Sequence, residues 1–164
     1  MAKLIKNGAF VSDDPWVRVA DDEMVVENSI ISLERWEHEQ AELQPLASRG
    51  KLGVHLRSEQ TADKLAEQCR NFAVIEIDFP KFVDGRGYSA ARLLREQYDY
   101  AGDIRAVGDV LIDQLFFYMR CGFSSYALRD DQNEENALAA FTTFTQPYQA
   151  AVDSDKPLFN RVTR

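Results

Sequence analysis

The residues best equipped for chemistry concentrate in one stretch, Phe79-Pro-Lys-Phe-Val-Asp-Gly-Arg-Gly-Tyr-Ser89. Gly85 and Gly87 bracket Arg86, Asp84 precedes them, and Ser89 is placed to cap a following helix. Such a loop can hold an anion on backbone N–H groups, a helix N-terminus and a guanidinium. Arg57, Lys81 and Arg129 follow apolar runs at comparable places. The pattern predicts an oxyanion or phosphate site with Arg86 as the main clamp and Arg57 and Arg129 beside it. Backbone groups around Gly85, Gly87 and Gly108 would add donors, and Asp84 or Asp109 would orient the cations or move a proton. The same residues also fit a plain ion-pair network, in which Asp78, Asp84, Asp109 and Asp130 neutralise the arginines.

Other chemistries have a weaker footing. Gly85-Arg86-Gly87 is neither a dinucleotide nor an NTP fingerprint, and glycine there also suits a tight turn. Asp109 and Asp113 lie one helical turn apart, but capping and the helix dipole account for both. Tyr88 is expected to pack its ring over the loop. His55 alternates with Val54 and Leu56 as a strand residue, and His38 sits among charges. Cys121 follows Arg120 at a helix C-terminus, which disfavours a thiolate, so a buried inert thiol is expected. Leu115-Phe-Phe-Tyr-Met119 reads as core. The two cysteines and two histidines include no CxxC, so neither a zinc site nor a disulfide framework is expected.

These residues need elements to position them. From residue 51 the chain alternates strand-like and helix-like segments. Strands are expected at 52–56, 72–77, 104–107 and 123–128. Helices are expected at 59–69 after a Ser58 cap, at 90–97 after Ser89, at 110–121 after Asp109, and at 134–144. Four strand–helix units predict an α/β fold with a parallel sheet, either flavodoxin-like or half a (βα)8 barrel. In either, ligands sit at the carboxyl ends of the strands, which is where Arg57, Arg86, Asp109 and Arg129 fall. Residues 1–50 read as irregular, with short strands and a brief helix at 33–40. Residues 151–164 read as a loose tail or an arm on a neighbouring subunit, and the whole of 1–164 as a single domain.

Composition bounds the reading. The chain of 164 residues is 45% apolar and 28% charged with a formal net charge of −8. That is globular, and its acidity disfavours nucleic acid and anionic lipid as partners. No apolar run is long enough for a membrane span and none at the N-terminus resembles a signal peptide, so a cytoplasmic protein is expected.

Phe79-Pro-Lys-Phe, Asp84-Gly-Arg-Gly-Tyr-Ser89, Ala91-Arg-Leu-Leu-Arg-Glu96 and Gly102-Asp-Ile-Arg-Ala-Val-Gly-Asp109 form a long combined motif. Asp113-Gln-Leu-Phe-Phe117, Arg120-Cys-Gly-Phe123 and Tyr126 complete it, and Leu52-Gly-Val-His-Leu56 and the piece at 29–36 also fit. The set resembles the bacterial domain-of-unknown-function family numbered 934. Many members of that family are labelled oxidoreductases of sulfite reduction. The resemblance implies a setting in sulfur assimilation, with a sulfite or nitrite reductase as partner and a sulfur oxyanion or nucleotide sulfate as ligand. It carries over no catalytic residue and no cofactor. A non-catalytic subunit docking on a reductase through its aromatic residues is the alternative, and a homodimer fits both.

Overall fold

The computed structural model describes residues 3–144 and 147–161. Its strands are β1 (Lys3–Lys6), β2 (Ala9–Val11), β3 (Val17–Arg18), β4 (Ser29–Ser32), β5 (Leu52–Leu56), β6 (Val74–Phe79), β7 (Asp103–Gly108) and β8 (Ser125–Leu128). They make one sheet in the order β2-β1-β8-β7-β6-β5-β4-β3. Neighbours from β3 through β8 are parallel. β1 is antiparallel to both β8 and β2. The sheet is therefore mixed, not four parallel units alone. Its parallel strands follow one another in chain order, as in half a barrel. The flavodoxin-like order, with its switch point between strands, is absent.

The helices are α1 (Leu33–Ser48), α2 (Arg86–Glu96), α3 (Leu115–Arg120), α4 (Glu134–Ala140) and α5 (Leu158–Arg161). Ile31, Val54, Ile75 and Ile104 share one row of the sheet, and Leu56, Ile77, Ala106, Tyr126 and Ile5 another. These two rows point to the same face. Trp36, Leu43, Ala91, Leu94, Leu115, Tyr118 and Ala137 are buried with them in one apolar core, so the helices cover this face. Among the described residues no helix is long and apolar enough to cross a membrane.

Several sequence expectations are corrected. The brief helix expected at 33–40 runs on to Ser48 and, with β4 before it, makes a full strand–helix unit: Ser32 caps α1 by accepting from the Arg35 N–H. Its 3.6-residue rhythm is hidden by Pro45 and by a kink at Glu39 (φ −113°). The expected helix at 59–69 is instead two 3-10 turns, Ala62–Lys64 and Ala66–Asn71. Ala66, the first residue of the second turn, sits at φ +43°, which no α-helix continues through. Its apolar stripe is nevertheless real, since Ala62, Leu65 and Cys69 are buried. Helix α2 starts at Arg86 with Gly85 at its cap position. Ser89 is therefore inside the helix and caps nothing. Asp109 does not cap a helix either: the chain makes a 3-10 turn at Ile112–Gln114 before α3. The tail is tied down where it is described. Val152 N–H donates to the Arg120 carbonyl at 3.2 Å, and Arg120 pairs with Asp153 at 3.7 Å. Residues 162–164 lie outside the described chain.

The connection from β2 to β3 forces the sheet to curl. β2 and β3 are opposite edges of the sheet. Laid flat, eight strands at ~4.8 Å spacing would separate those edges by ~34 Å. Residues 12–16 join them, and so short a link reaches at most ~22 Å even when extended. The edges must therefore approach each other, and the link must cross the open, concave face as a strap. That face is the one the helices leave uncovered, and it is lined by the rows His55–Glu76–Arg105–Ser125–Lys6 and Asp78–Val107.

Candidate functional site

The carboxyl ends of the strands do gather the expected arginines, but in two separate clusters. In the first, the Arg86 fork clasps Asp84, Nε to Oδ1 at 2.9 Å and Nη2 to Oδ2 at 2.6 Å. Arg86 Nη2 also donates to Ser58 Oγ at 3.1 Å. Arg57 pairs with Glu59 at 2.7 Å and with Glu34. In the second cluster, Arg129 donates to Asp109 Oδ1 at 2.5 Å and holds Asp131 with two bonds, at 2.7 and 2.8 Å. The loop at 81–83 stands between the clusters, tied down by Phe82 N–H donating to Asp109 Oδ2 at 2.9 Å. Lys81 makes no ion pair among the described residues. Of the carboxylates expected to neutralise the arginines, Asp84 and Asp109 do so; Asp78 and Asp130 do not, and Asp131 takes their place.

The seat expected for an anion in the first cluster is held by the chain itself. Asp84 accepts from the Arg86 N–H at 3.3 Å as well as from its guanidinium, so its carboxylate occupies the N-terminus of α2. Those Arg86 bonds hold the Asp84 carboxyl well below the usual range. Asp84 thus orients Arg86 with both of its oxygens. Gly85 is exposed with an ordinary φ of −84°. Gly87 is buried because α2 crosses β6 there: a β-carbon would meet Phe79 Cζ at 2.5 Å. Ser89 is exposed on α2. In the second cluster, hydrogen bonds from Arg129 lower the Asp131 carboxyl to about 2.

The concave face holds a feature the sequence reading passed over. A groove of about 800 Å³ runs between the strap and the sheet. Trp16, Val11, Leu4, Val107 and Leu128 give it apolar walls, and Gly108, Arg129 and Asp130 form its mouth at the strand ends. Its floor is charged. Arg105, only 4% exposed, lies on β7, and Glu76, 5% exposed, on β6. The strap's Asp14 grips Arg105 with both oxygens, at 2.7 and 3.1 Å. Arg18 of β3 donates to Glu76 at 3.0 and 2.7 Å. His55 Nδ1 is 3.4 Å from Glu76 Oε2, yet it is buried without a properly aligned hydrogen bond. Asp103 is held by Lys6 at 2.9 Å and by Ser124 and Ser125. Burial by itself would raise the Glu76 carboxyl; the His55 ring nitrogen and Arg18 outweigh it and hold it below the usual range. Asp103 is likewise lowered against burial, by its serine and lysine partners.

The signal for this site was in the strands. Charged side chains almost never sit mid-strand in a buried sheet unless paired. Glu76 stands between Ile75 and Ile77, and Arg105 between Ile104 and Ala106. Both therefore point away from the helix-covered core and require partners on a second, polar face.

The model of the family described as "Bacterial protein of unknown function (DUF934)" matches residues 53–159, more than half of the chain. The chain belongs to that family. The match runs from Gly53 in β5 through β8 and on to residue 159, and so takes in Glu76, Arg105 and Arg129; Asp14 and Arg18 lie before it. No curated protein and no solved structure gives a significant match to the chain. Among the described residues no group of three or more histidine, cysteine or carboxylate side chains is arranged to hold a metal ion.

Proposed function

We propose that this protein binds a small anionic molecule in the groove of its concave face, admitted past Arg129 at the strand ends. The observation that carries this reading is the groove itself, about 800 Å³ and running from the exposed Arg129 at its mouth to the buried Arg105 on its floor. That volume suits a small organic ligand, and apolar walls with a few charged groups are what such sites require. Arg129 replaces Arg86 as the leading anion contact, because Arg129 lines the groove and Arg86 does not. The likeness to a family labelled for sulfite reduction suggests a sulfur oxyanion or a nucleotide sulfate as ligand and bacterial sulfur assimilation as the setting.

The test is a thermal-shift series with sulfite, sulfate, inorganic phosphate, adenylyl sulfate, flavins and NADP. A ligand of the folded state raises the melting temperature. The expected result is a shift with an anionic compound that Arg129→Ala abolishes and Arg86→Ala leaves in place. An equal shift in folded Arg129→Ala protein would overturn the reading.

A docking subunit for a sulfite or nitrite reductase is the second reading. It is favoured by Phe117 and Phe144, 54% and 62% exposed, which line the same surface depressions outside the sheet. Retention of purified sulfite reductase at micromolar concentration, lost in Phe117→Ser, would support it.

A further inference from the structure

The grip of Asp14 on Arg105 has the form of a ligand contact. Two parallel N–H···O bonds to one carboxylate are the way a guanidinium recognises a free carboxylate or a tetrahedral oxyanion. The other carboxylates near Arg105 are too distant for hydrogen bonds, Glu76 at 3.9 Å and Asp103 at 3.8 Å. Asp14 is thus the close counter-charge of an arginine whose side chain is 5% exposed. Beside it the strap rests on Trp16, whose ring packs over Gly53, and not on backbone bonds. Among the described residues no backbone group of residues 12–16 makes a backbone hydrogen bond, and β3 beyond it is two residues long.

We propose that Asp14 is an internal stand-in for the anionic group of the ligand, and that the strap is a latch the ligand displaces. The inference rests on the groove reading above. The charges of the concave face explain the coupling. Lys6, Arg18 and Arg105 are balanced by Asp14, Glu76 and Asp103. Lifting Asp14 away alone would strand a buried guanidinium, which is strongly unfavourable. Lifting it while a carboxylate, sulfate or phosphate group enters keeps the balance. The strap therefore opens when an anion replaces its carboxylate, and by linkage whatever loosens the strap tightens the anion. The ligand so described carries one oxyanion or carboxylate deep in the groove and an apolar body against Trp16, Val11 and Val107.

The experiment is a titration with sulfate, inorganic phosphate and acetate at constant ionic strength, read by binding calorimetry and by tryptophan emission. The chain has two tryptophans. Trp36 is 1% exposed in the core, so a change on strap release belongs to Trp16 and disappears in Trp16→Phe. The expected result is a red shift of wild-type emission on anion binding and about tenfold tighter binding by Asp14→Asn, which keeps the shape and removes the competing charge. Arg105→Met should lose both responses. Should Asp14→Asn fold poorly, the wild-type emission change decides alone. Binding that is equal in wild type and Asp14→Asn, with unmoved Trp16 emission, would overturn the latch and leave the groove reading standing. No binding by any of these proteins would overturn both.

Discussion

The glycines near the strand ends separate a ligand seat from plain packing, and a three-member alanine series tests the distinction. Gly108 ends β7 at φ +93°, and a β-carbon on it would lie 2.5 Å from the Phe79 carbonyl oxygen and 2.8 Å from Asp78 Oδ1. The carbonyl cannot retreat, because it accepts the Asp109 N–H at 2.7 Å. The left-handed conformation costs a residue with a β-carbon ~1–2 kcal/mol. The collision adds about 1–3 kcal/mol, so Gly108→Ala should lose ~2–5 kcal/mol. In a protein of this size that lowers the melting temperature by roughly 4–20 °C. Gly87 is intermediate. Its added methyl meets Phe79 Cζ at 2.5 Å and Ile77 Cγ2 at 2.9 Å, and the Phe79 ring is wedged against Tyr88, Tyr118 and Phe123. The gain in helix propensity, up to ~1 kcal/mol, offsets part of that clash. Gly85 has an ordinary φ, and its nearest neighbour would be Tyr88 Cδ2 at 3.8 Å, so Gly85→Ala should change stability by less than ~0.5 kcal/mol. Urea denaturation followed by circular dichroism gives all three values. A Gly85 loss as large as that of Gly108, or a neutral Gly108→Ala, would refute the packing argument.

Three further outcomes are expected. Glu76→Gln removes the counter-charge of Arg18 and should destabilise by about 1–3 kcal/mol, since Arg18 is half exposed and water relieves part of the loss; an unchanged urea midpoint would contradict this. Glu76 and Asp103 both have folded-state values below their ordinary ones. Their contribution is therefore fully present above the unfolded carboxyl range of about pH 4 and is lost as pH falls below it. An acid titration of stability should accordingly be less steep in the Glu76→Gln, Asp103→Asn double variant, and an equal slope would show that the pair does not couple to folding. Burial pushes the Cys121 thiol up to about 11 and raises Cys69 as well. Ellman's reagent at pH 8 should label neither within minutes in native protein and both in guanidinium; rapid native labelling would place a thiol at the surface.

What was legible in the sequence follows from which face of the sheet each residue serves. Strands β5 to β8 were visible because their core-facing residues, such as Val54, Ile75, Ile104 and Tyr126, must be apolar to meet the helices. The unit at 29–48 was visible only in part: a helix was expected at 33–40 but not through Ser48, since a four-residue strand gives little periodicity and Pro45 argues against the helix that contains it. For the candidate site, the sequence located the arginines at the strand ends but not their partners. Asp84 and Asp131 lie two residues from the arginines they hold, so those pairs are local. The Asp14–Arg105 and Arg18–Glu76 pairs join residues 91 and 58 apart, a separation that only the curl of the sheet can close.

That curl and the charges of the concave face explain each other. A strap as short as residues 12–16 can bridge the two edges only over a strongly bent sheet, and a bent sheet brings its inner side chains together. Apolar inner side chains would close such a space into a second core, as in a complete barrel, where the interior is filled. Glu76 and Arg105 prevent that, because each is costly to bury unless a partner of opposite sign reaches it. The partners come from the N-terminal segment: Arg18 from β3 and Asp14 from the strap. The first 18 residues thus supply the counter-charges that let the family-matched strands keep a polar, open interior. Residues that neutralise an interior without filling it leave a volume for something else to occupy. The bidentate contact on Arg105 is what gives that occupant its chemistry.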